Sequence, residues 1–389
     1  MAAEQTKIYR LDDRIAKVAI ILMAIGAVFV FSAGTDLGNK LDLSRFYAYP
    51  GLRQILFFPL ACLVMFAVSC INHKHLSFAQ GVHKSLTPYL LVASFLLLFL
   101  VLLPQFGTTR GGAQRWIRIP AGSTDISFQP SEIAKWTMIF FLAAICAKNE
   151  FAIKSFWKQF LPICALVSLC VYMIIIEDFG TAAFIALISF CMLLIGGAKW
   201  WHLLSPLPFA AAGFYLMLLQ APHRIDRIKA FLNPEKYAGD VAYQAQQSLV
   251  ALGSGGLWGK GIGKGICKYG YLPEDTTDFV FAIIGEELGL IGCAAVILLF
   301  VCFIWLGLLV IIRSKDGFSQ LLATGIVLAI SIQAALNIGV VTVVLPTKGI
   351  PLPFLSGGGT SLLVSAAAVG VLLNIAKQAN GDKEETEDV

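Results

Sequence analysis

The groups able to do acid–base chemistry gather in one stretch, Tyr271 to Gly292. A polar, Pro-containing loop ends in Asp278. An apolar run begins there, continues to about Ile312, and carries two adjacent carboxylates, Glu286 and Glu287. A run of this length reads as a membrane helix, and ionisable groups inside one are costly enough to point to function. Asp278 sits at the junction, where a carboxylate can cap the helix and also serve as a general base; the two roles are compatible.

Other polar groups recur at the ends of apolar runs. Arg115 and Trp116 lie in a loop that leads to Gln129-Pro130-Ser131-Glu132, with Lys135 three residues further on. Pro followed by an acid suits a helix start, so Lys135 falls about one turn inside a span, where a cation must snorkel or pair. Arg115 and Trp116 taken alone fit a simple interface anchor. Glu286 is eight residues past Asp278, roughly 12 Å along a helix, a depth comparable to that of Lys135, so a Lys135 pair with Glu286 or Glu287 is expected. Glu177-Asp178 joins two runs by a very short turn, and Asp178 can cap the second. Residues 221–277 hold Arg224, Arg227, Gln244 and a glycine-rich piece from Gly253 to Gly265. No GxxxxGK[ST] sequence occurs, so a nucleotide P-loop is not supported; a mobile loop over an open groove is the plainer expectation. Lys348 and Ser356 fall in a segment broken by Pro346, Pro351 and Pro353 and four glycines. Such backbone at membrane depth is tolerated only against protein or a water-filled cavity, so it is expected to line the site.

Composition dictates what positions these groups. Of 389 residues 58% are hydrophobic and 14% charged, and the mean hydropathy is +0.78. That excludes an ordinary soluble domain. The expected fold is an all-α polytopic membrane protein in a single domain, 1–389. It has about ten spans, near 15–34, 51–71, 87–104, 131–147, 159–176, 180–198, 202–220, 278–312, 319–345 and 359–376. The eighth run is over-long and must tilt, kink or project. One large loop, 221–277, joins the seventh and eighth spans, and the tails are 1–14 and 377–389. No cleavable leader is expected, because the first apolar run is long enough to stay.

Lys and Arg weigh both sides of this topology. The N-terminal residues favour cytoplasmic termini, which leaves the outer loops basic and in need of an anionic partner. Eight of the nine cysteines lie in apolar runs as small hydrophobes; Cys267 alone is in the large loop and expected to be accessible. His73 and His75, beside Lys74, read as a solvated loop. The net charge of +5, without a basic tract, offers nothing for nucleic acid.

Four blocks resemble the SEDS family (shape, elongation, division and sporulation; FtsW, RodA and SpoVE), in the right order and over roughly residues 15–376. They are Gly112-Ala-Gln-Arg-Trp-Ile117 with Gln129-Pro-Ser-Glu132; Asp178-Phe-Gly-Thr181; Thr277-Asp-Phe279 with Gly285-Glu-Glu-Leu-Gly289; and Pro346-Thr-Lys-Gly349 through Ser356. The last is closer to the division branch, FtsW, than to the elongation branch, RodA. Gly357 stands where the family commonly has Tyr, Gly270 where division members often carry an acid, and Glu177 where the family more often has Pro. Glu177 is expected to have no role.

The resemblance implies a glycosyltransferase of the bacterial plasma membrane that polymerises lipid II, the undecaprenyl-pyrophosphate-linked disaccharide-pentapeptide, during septal cell-wall synthesis, with its site facing outward. It implies a class B penicillin-binding protein as partner, beside other divisome or elongasome membrane proteins and membrane lipid. The residues fit such a substrate. Asp278 is the candidate base, and Arg115, Arg224, Arg227, Lys348, Gln244 and Ser356 are candidate substrate contacts. Lys135, Glu132, Glu286, Glu287, Trp116 and Asp178 are expected to support them. Arginines give bidentate contacts to pyrophosphate oxygens. A divalent cation, Mg or Mn, is compatible with this chemistry, although no ligand cluster in the sequence calls for one. Three alternatives stay open: a RodA-like elongation polymerase; a lipid II flippase, which needs a cationic cavity but no base; and an ion-coupled transporter, for which no inverted repeat is evident.

Overall fold

The computed structural model describes residues 10–34, 49–110, 113–121, 124–148, 155–209, 211–213, 229, 231, 240–346 and 349–387. Apolar runs become helices because backbone polar groups in hydrocarbon must be satisfied within the segment. These are α1 (Leu11–Ala33), α2 (Pro50–Ser69), α3 (Thr87–Leu102), α4 (Pro130–Lys148), α5 (Leu161–Ile175), α6 (Phe179–Ile195), a short α7 (Trp200–Leu204), α8 (Asp240–Gly255), α9 (Val280–Arg313), α10 (Gly317–Val341) and α11 (Gly359–Glu387). Among the described residues seven are long and apolar enough to cross a membrane, and α3 and α6 are shorter apolar helices. The run near 202–220 lies mostly outside the described residues.

The loop after α3 folds into a small antiparallel sheet with the order β1 (Gly107–Arg110), β2 (Ala113–Ala121), β3 (Thr124–Phe128). Arg118 pairs with Ser127 across β2–β3, and Thr108 with Trp116 across β1–β2. The side-chain amide of Gln114 anchors this sheet on α3, donating to the Val101 and Leu103 carbonyls at 2.9 and 3.1 Å. Among the described residues the fold is thus helical with one small β element.

α1 packs on α2, α9 and α11, and α4 packs on α3, α6 and α10. At the end opposite the sheet, His73 is buried, contrary to the solvated loop expected of it. Its ring nitrogens reach Asn374 Oδ1 of α11 at 2.7 Å and Ser319 Oγ of α10 at 2.6 Å, so it staples three segments together.

The over-long run is broken. Within α9, Gly289 has φ 69° and ψ −162°, which interrupts the helical hydrogen bonds. Only glycine takes this conformation without strain.

Candidate active site

Asp278 lies two residues ahead of α9, whose N-cap residue is Phe279 and makes no side-chain cap bond. The N–H groups of Thr277, Asp278 and Phe279 all converge on the Glu274 carbonyl, at 3.2, 3.0 and 3.2 Å. The turn is tight enough to put Glu274 at φ 59°. Asp278 is half-buried, and its carboxylate faces the segment before α11. A β-carbon placed on Gly349 would stand 3.0 Å from Asp278 Oδ2, so glycine at 349 makes room for that carboxylate.

Two clips hold the segments together. Asn337 Nδ2 donates to the carbonyls of Asp278 and Ile350, each at 2.8 Å. The Ser356 hydroxyl donates to the Thr277 carbonyl and accepts the Leu352 N–H at 2.7 Å. Ser356 is expected to touch substrate, but its buried hydroxyl is committed to backbone on either side of the site. It ties the turn that carries Asp278 to the segment before α11.

Arg115 approaches from the sheet. Its Nε donates to the Glu177 carbonyl at 2.8 Å and Nη1 stands 3.8 Å from Asp178 Oδ2. Asp178 caps α6, accepting the Thr181 N–H at 3.1 Å and the Thr181 hydroxyl at 2.8 Å. Gly180 follows, and a β-carbon there would lie 3.5 Å from Ile350 and 3.8 Å from the Gly349 carbonyl. Arg115, Asp178, Gly349 and Asp278 therefore line one region. Glu177, given no role by the sequence reading, accepts the Gln114 N–H at 2.7 Å and fixes the sheet that presents Arg115. Trp116 is half-buried beside it, its carbonyl accepting from Thr108. Gln244 is half-buried in α8. Arg224, Arg227 and Lys348 lie outside the described residues.

The expected Lys135 pair with Glu286 or Glu287 does not form. Lys135 Nζ donates to Glu132 Oε2 at 2.9 Å, one turn away on its own helix, and to Gln333 Oε1 at 2.9 Å. Depth along the membrane normal says nothing of which helices are neighbours: α4 faces α10, whereas the start of α9 faces α8 and α1. Gln333 Nε2 in turn donates to the Pro351 carbonyl at 2.9 Å. Gln333 and Asn337, one turn apart on α10, both grip the segment opposite Asp278.

Glu286 and Glu287, fully buried, are taken up by the glycine-rich loop. Glu286 receives Lys260 Nζ at 2.7 Å and the N–H groups of Ile266 and Cys267 at 2.8 and 3.1 Å. Glu287 receives Lys268 Nζ at 2.9 Å, the Ser32 hydroxyl at 2.8 Å and the Gly263 N–H at 2.9 Å. The loop also replaces the helical bonds lost at Gly289. Lys260 N–H and Gly261 N–H donate to the carbonyls of Glu286 and Glu287, and Leu290 N–H donates to that of Gly256. A broken helix in hydrocarbon is stable only when such partners exist. The loop is therefore a bound clamp, not a mobile cover. Cys267 is correspondingly buried, and burial, followed by the Glu286 carboxylate, pushes its thiol up to about 11.

Among the described residues no group of three or more His, Cys, Asp and Glu is placed to hold a metal ion.

Residues 13–381 match the model of the FtsW/RodA/SpoVE family of cell cycle proteins. The chain belongs to this family. Stage V sporulation protein E of Bacillus subtilis (strain 168) is 37% identical over 362 residues, 92% of this chain and 95% of that one. A probable peptidoglycan glycosyltransferase FtsW of Coxiella burnetii is 36% identical over 380 residues, 97% and 99% of the two chains. Among solved structures, RodA of Thermus thermophilus is similar with TM-score 0.65 at 25% identity, covering 94% of this chain and 96% of that one. A chain of a peptidoglycan synthase complex that coordinates polymerization and crosslinking gives TM-score 0.71 at 24% identity, covering 94% and 97%.

The resemblance read from four short blocks is thus a whole-chain membership. In this SEDS protein the residues that the sequence reading missed are Glu177, Ser32, Lys260, Lys268, Gln333 and Asn337. Ser32, Gln333 and Asn337 are single polar residues in apolar runs, and Glu177, Lys260 and Lys268 sit among other charged residues of short turns and loops. The one available signal was that buried polar side chains need partners, and Gln333 and Asn337 share a helix face at a four-residue spacing.

Proposed function

We infer that this SEDS protein is a peptidoglycan glycosyltransferase that polymerises lipid II into glycan strands, with Asp278 as its general base. The observation that carries this reading is the placement of a half-buried Asp278 carboxylate against Gly349, across from the Arg115–Asp178 pair. A sugar hydroxyl attacks the anomeric carbon of the lipid-linked donor. The new glycosidic bond forms as the bond to pyrophosphate breaks, and Asp278 takes the hydroxyl proton. Negative charge grows on the departing undecaprenyl pyrophosphate, where Arg115 supplies compensating charge. Arg224, Arg227 and Lys348 are proposed to join it.

The relatives named FtsW favour a role in division, and SpoVE is a sporulation protein. The chain resolved within a peptidoglycan synthase complex supports a class B penicillin-binding protein as partner. The apolar helices support a membrane location. Cytoplasmic termini and an outward-facing site are part of the proposal, since lipid II is consumed on the outer face. The test is purified protein mixed with lipid II in detergent or liposomes, scored for glycan strands. Strands that appear with wild type support the reading. Transbilayer movement of lipid II without any strands, with the partner synthase present, would make the protein a flippase.

A further inference from the structure

The glycine-rich loop carries three lysines at four-residue spacing. Lys260 and Lys268 are neutralised by Glu286 and Glu287, at 2.7 and 2.9 Å. Lys264, between them, is exposed and forms no ion pair among the described residues. Its aliphatic stem lies over Gly261. Several other side chains of this loop are large, apolar and exposed: Trp258 at 80%, Leu257 at 62%, Ile262 at 60% and Ile266 at 55%. In water such a cluster is a liability. At the edge of membrane-spanning helices, Trp with Leu, Ile and a snorkelling Lys is the pattern of a segment seated in the lipid interface.

Beside this tip an apolar crevice of about 350 Å³ opens between the loop and two helices. Val28, Phe31 and Ser32 of α1, Ile55 of α2, and Ile262 and Gly263 of the loop line it. Its one polar wall, the Ser32 hydroxyl, already donates to Glu287. The space therefore asks for hydrocarbon, with a cation, Lys264, next to its lining residue Gly263.

The crevice faces away from Asp278. On α1, Gly26 packs against Phe354 and Leu355, and Val30 against Gly357, the segment that walls the site. Val28 is two residues from each, about 200° around the helix, so a lipid seated beside Val28 has α1 and the 354–357 segment between it and the catalytic carboxylate. That placement argues against the substrate's own chain and for a lipid of the surrounding leaflet.

We propose that the crevice and Lys264 form a site for one anionic phospholipid, an acyl chain lying against Val28, Phe31 and Ile55 and the headgroup phosphate meeting Lys264. The ligand would brace the loop that clamps α9. Ser32 connects the two, since it lines the crevice and bonds both Glu287 and Lys268.

The test is native mass spectrometry of the full-length protein released from nanodiscs of equal phosphatidylglycerol and phosphatidylcholine, without lipid II, so it stands apart from the polymerase reading. Wild type should retain one phosphatidylglycerol with roughly fivefold preference, the worth of one lysine at an anionic surface. Lys264→Gln should lose the preference and Lys264→Arg keep it. Val28→Trp, which fills the crevice from a half-exposed position, should lose retention of either lipid. If that variant fails to fold, Ile262→Trp fills the space from the loop and is scored the same way. Unchanged preference in Lys264→Gln, or unchanged retention in the filled variant, overturns the site. Displacement of phosphatidylglycerol by undecaprenyl phosphate at lower concentration overturns the choice of lipid.

Discussion

Asn337 holds Asp278 by its backbone and not by its carboxylate: Nδ2 donates to the Asp278 carbonyl at 2.8 Å and, with its second hydrogen, to the Ile350 carbonyl at the same distance. One amide thus sets the spacing between the base-bearing turn and the segment that faces it. Asn337→Ala should leave the buried Ile350 carbonyl and the half-buried Asp278 carbonyl short of a donor, at a cost of about 1–3 kcal/mol for the buried one if water does not enter, and less for the other. Displacement of the carboxylate by even a fraction of an ångström should lower kcat roughly 10- to 100-fold with KM for lipid II nearly unchanged. Steady-state polymerisation on the folded fraction checks this. Wild-type kcat in Asn337→Ala would show that the clip is merely structural.

Glu132 and Lys135 are both buried, and their bond continues through Gln333 to the Pro351 carbonyl. Removing one charge strands the other, and each single change to a neutral residue should cost about 3–5 kcal/mol. A double-mutant cycle on thermal unfolding should give strong coupling between Glu132 and Lys135, and additive losses for Lys135 with Glu286, which belong to different networks. Coupling in the second cycle and additivity in the first would reverse the assignment.

The features legible in the sequence are the short-range ones. The apolar helices α1 to α6 and α9 to α11 follow from run length, whereas α8 lies within the segment 221–277 expected to be a loop; the cap at Asp178 and the helix start at Pro130 follow from local residue type, because these are short-range effects. Asp278 stands out in the sequence because it joins a polar loop to an apolar run. The partners of Lys135, Glu286 and Glu287 were not legible. They depend on which helices adjoin, and one-dimensional depth does not contain that. The binding of the glycine-rich loop is not legible either, because its backbone N–H groups, the very donors that bind Glu286 and Glu287, leave no trace in residue type. The sheet carrying Arg115 was likewise hidden in a segment read as a loop.

Cys267 now gives an experiment opposite in sense to simple exposure. Its thiol is buried and held up to about 11, so at pH 7 to 8 the reactive thiolate is scarce as well as shielded. An impermeant maleimide should leave Cys267 unlabelled in folded protein. Because the folded pKa lies above the unfolded value, the folded state keeps a proton that the unfolded state loses; stability from this group is intact below about pH 8.5 and declines between there and about 11. Lys264→Cys, on the exposed tip of the same loop, should label at once on intact spheroplasts if the loop faces outward. Labelling of Lys264→Cys only after permeabilisation would invert the proposed topology.

The most direct measurement is lipid II polymerisation by purified Asp278→Asn beside Asp275→Asn. The amide keeps the size of the side chain, and the backbone carbonyl still accepts from Asn337, so the turn should stay folded. It takes no proton at neutral pH, and polymerisation should fall by roughly 100-fold or more, the usual worth of a general base. Asp275, three residues earlier in the same turn region, should polymerise at near wild-type rate as Asn. A near wild-type rate in Asp278→Asn, with protein that is folded and still binds lipid II, would contradict the account.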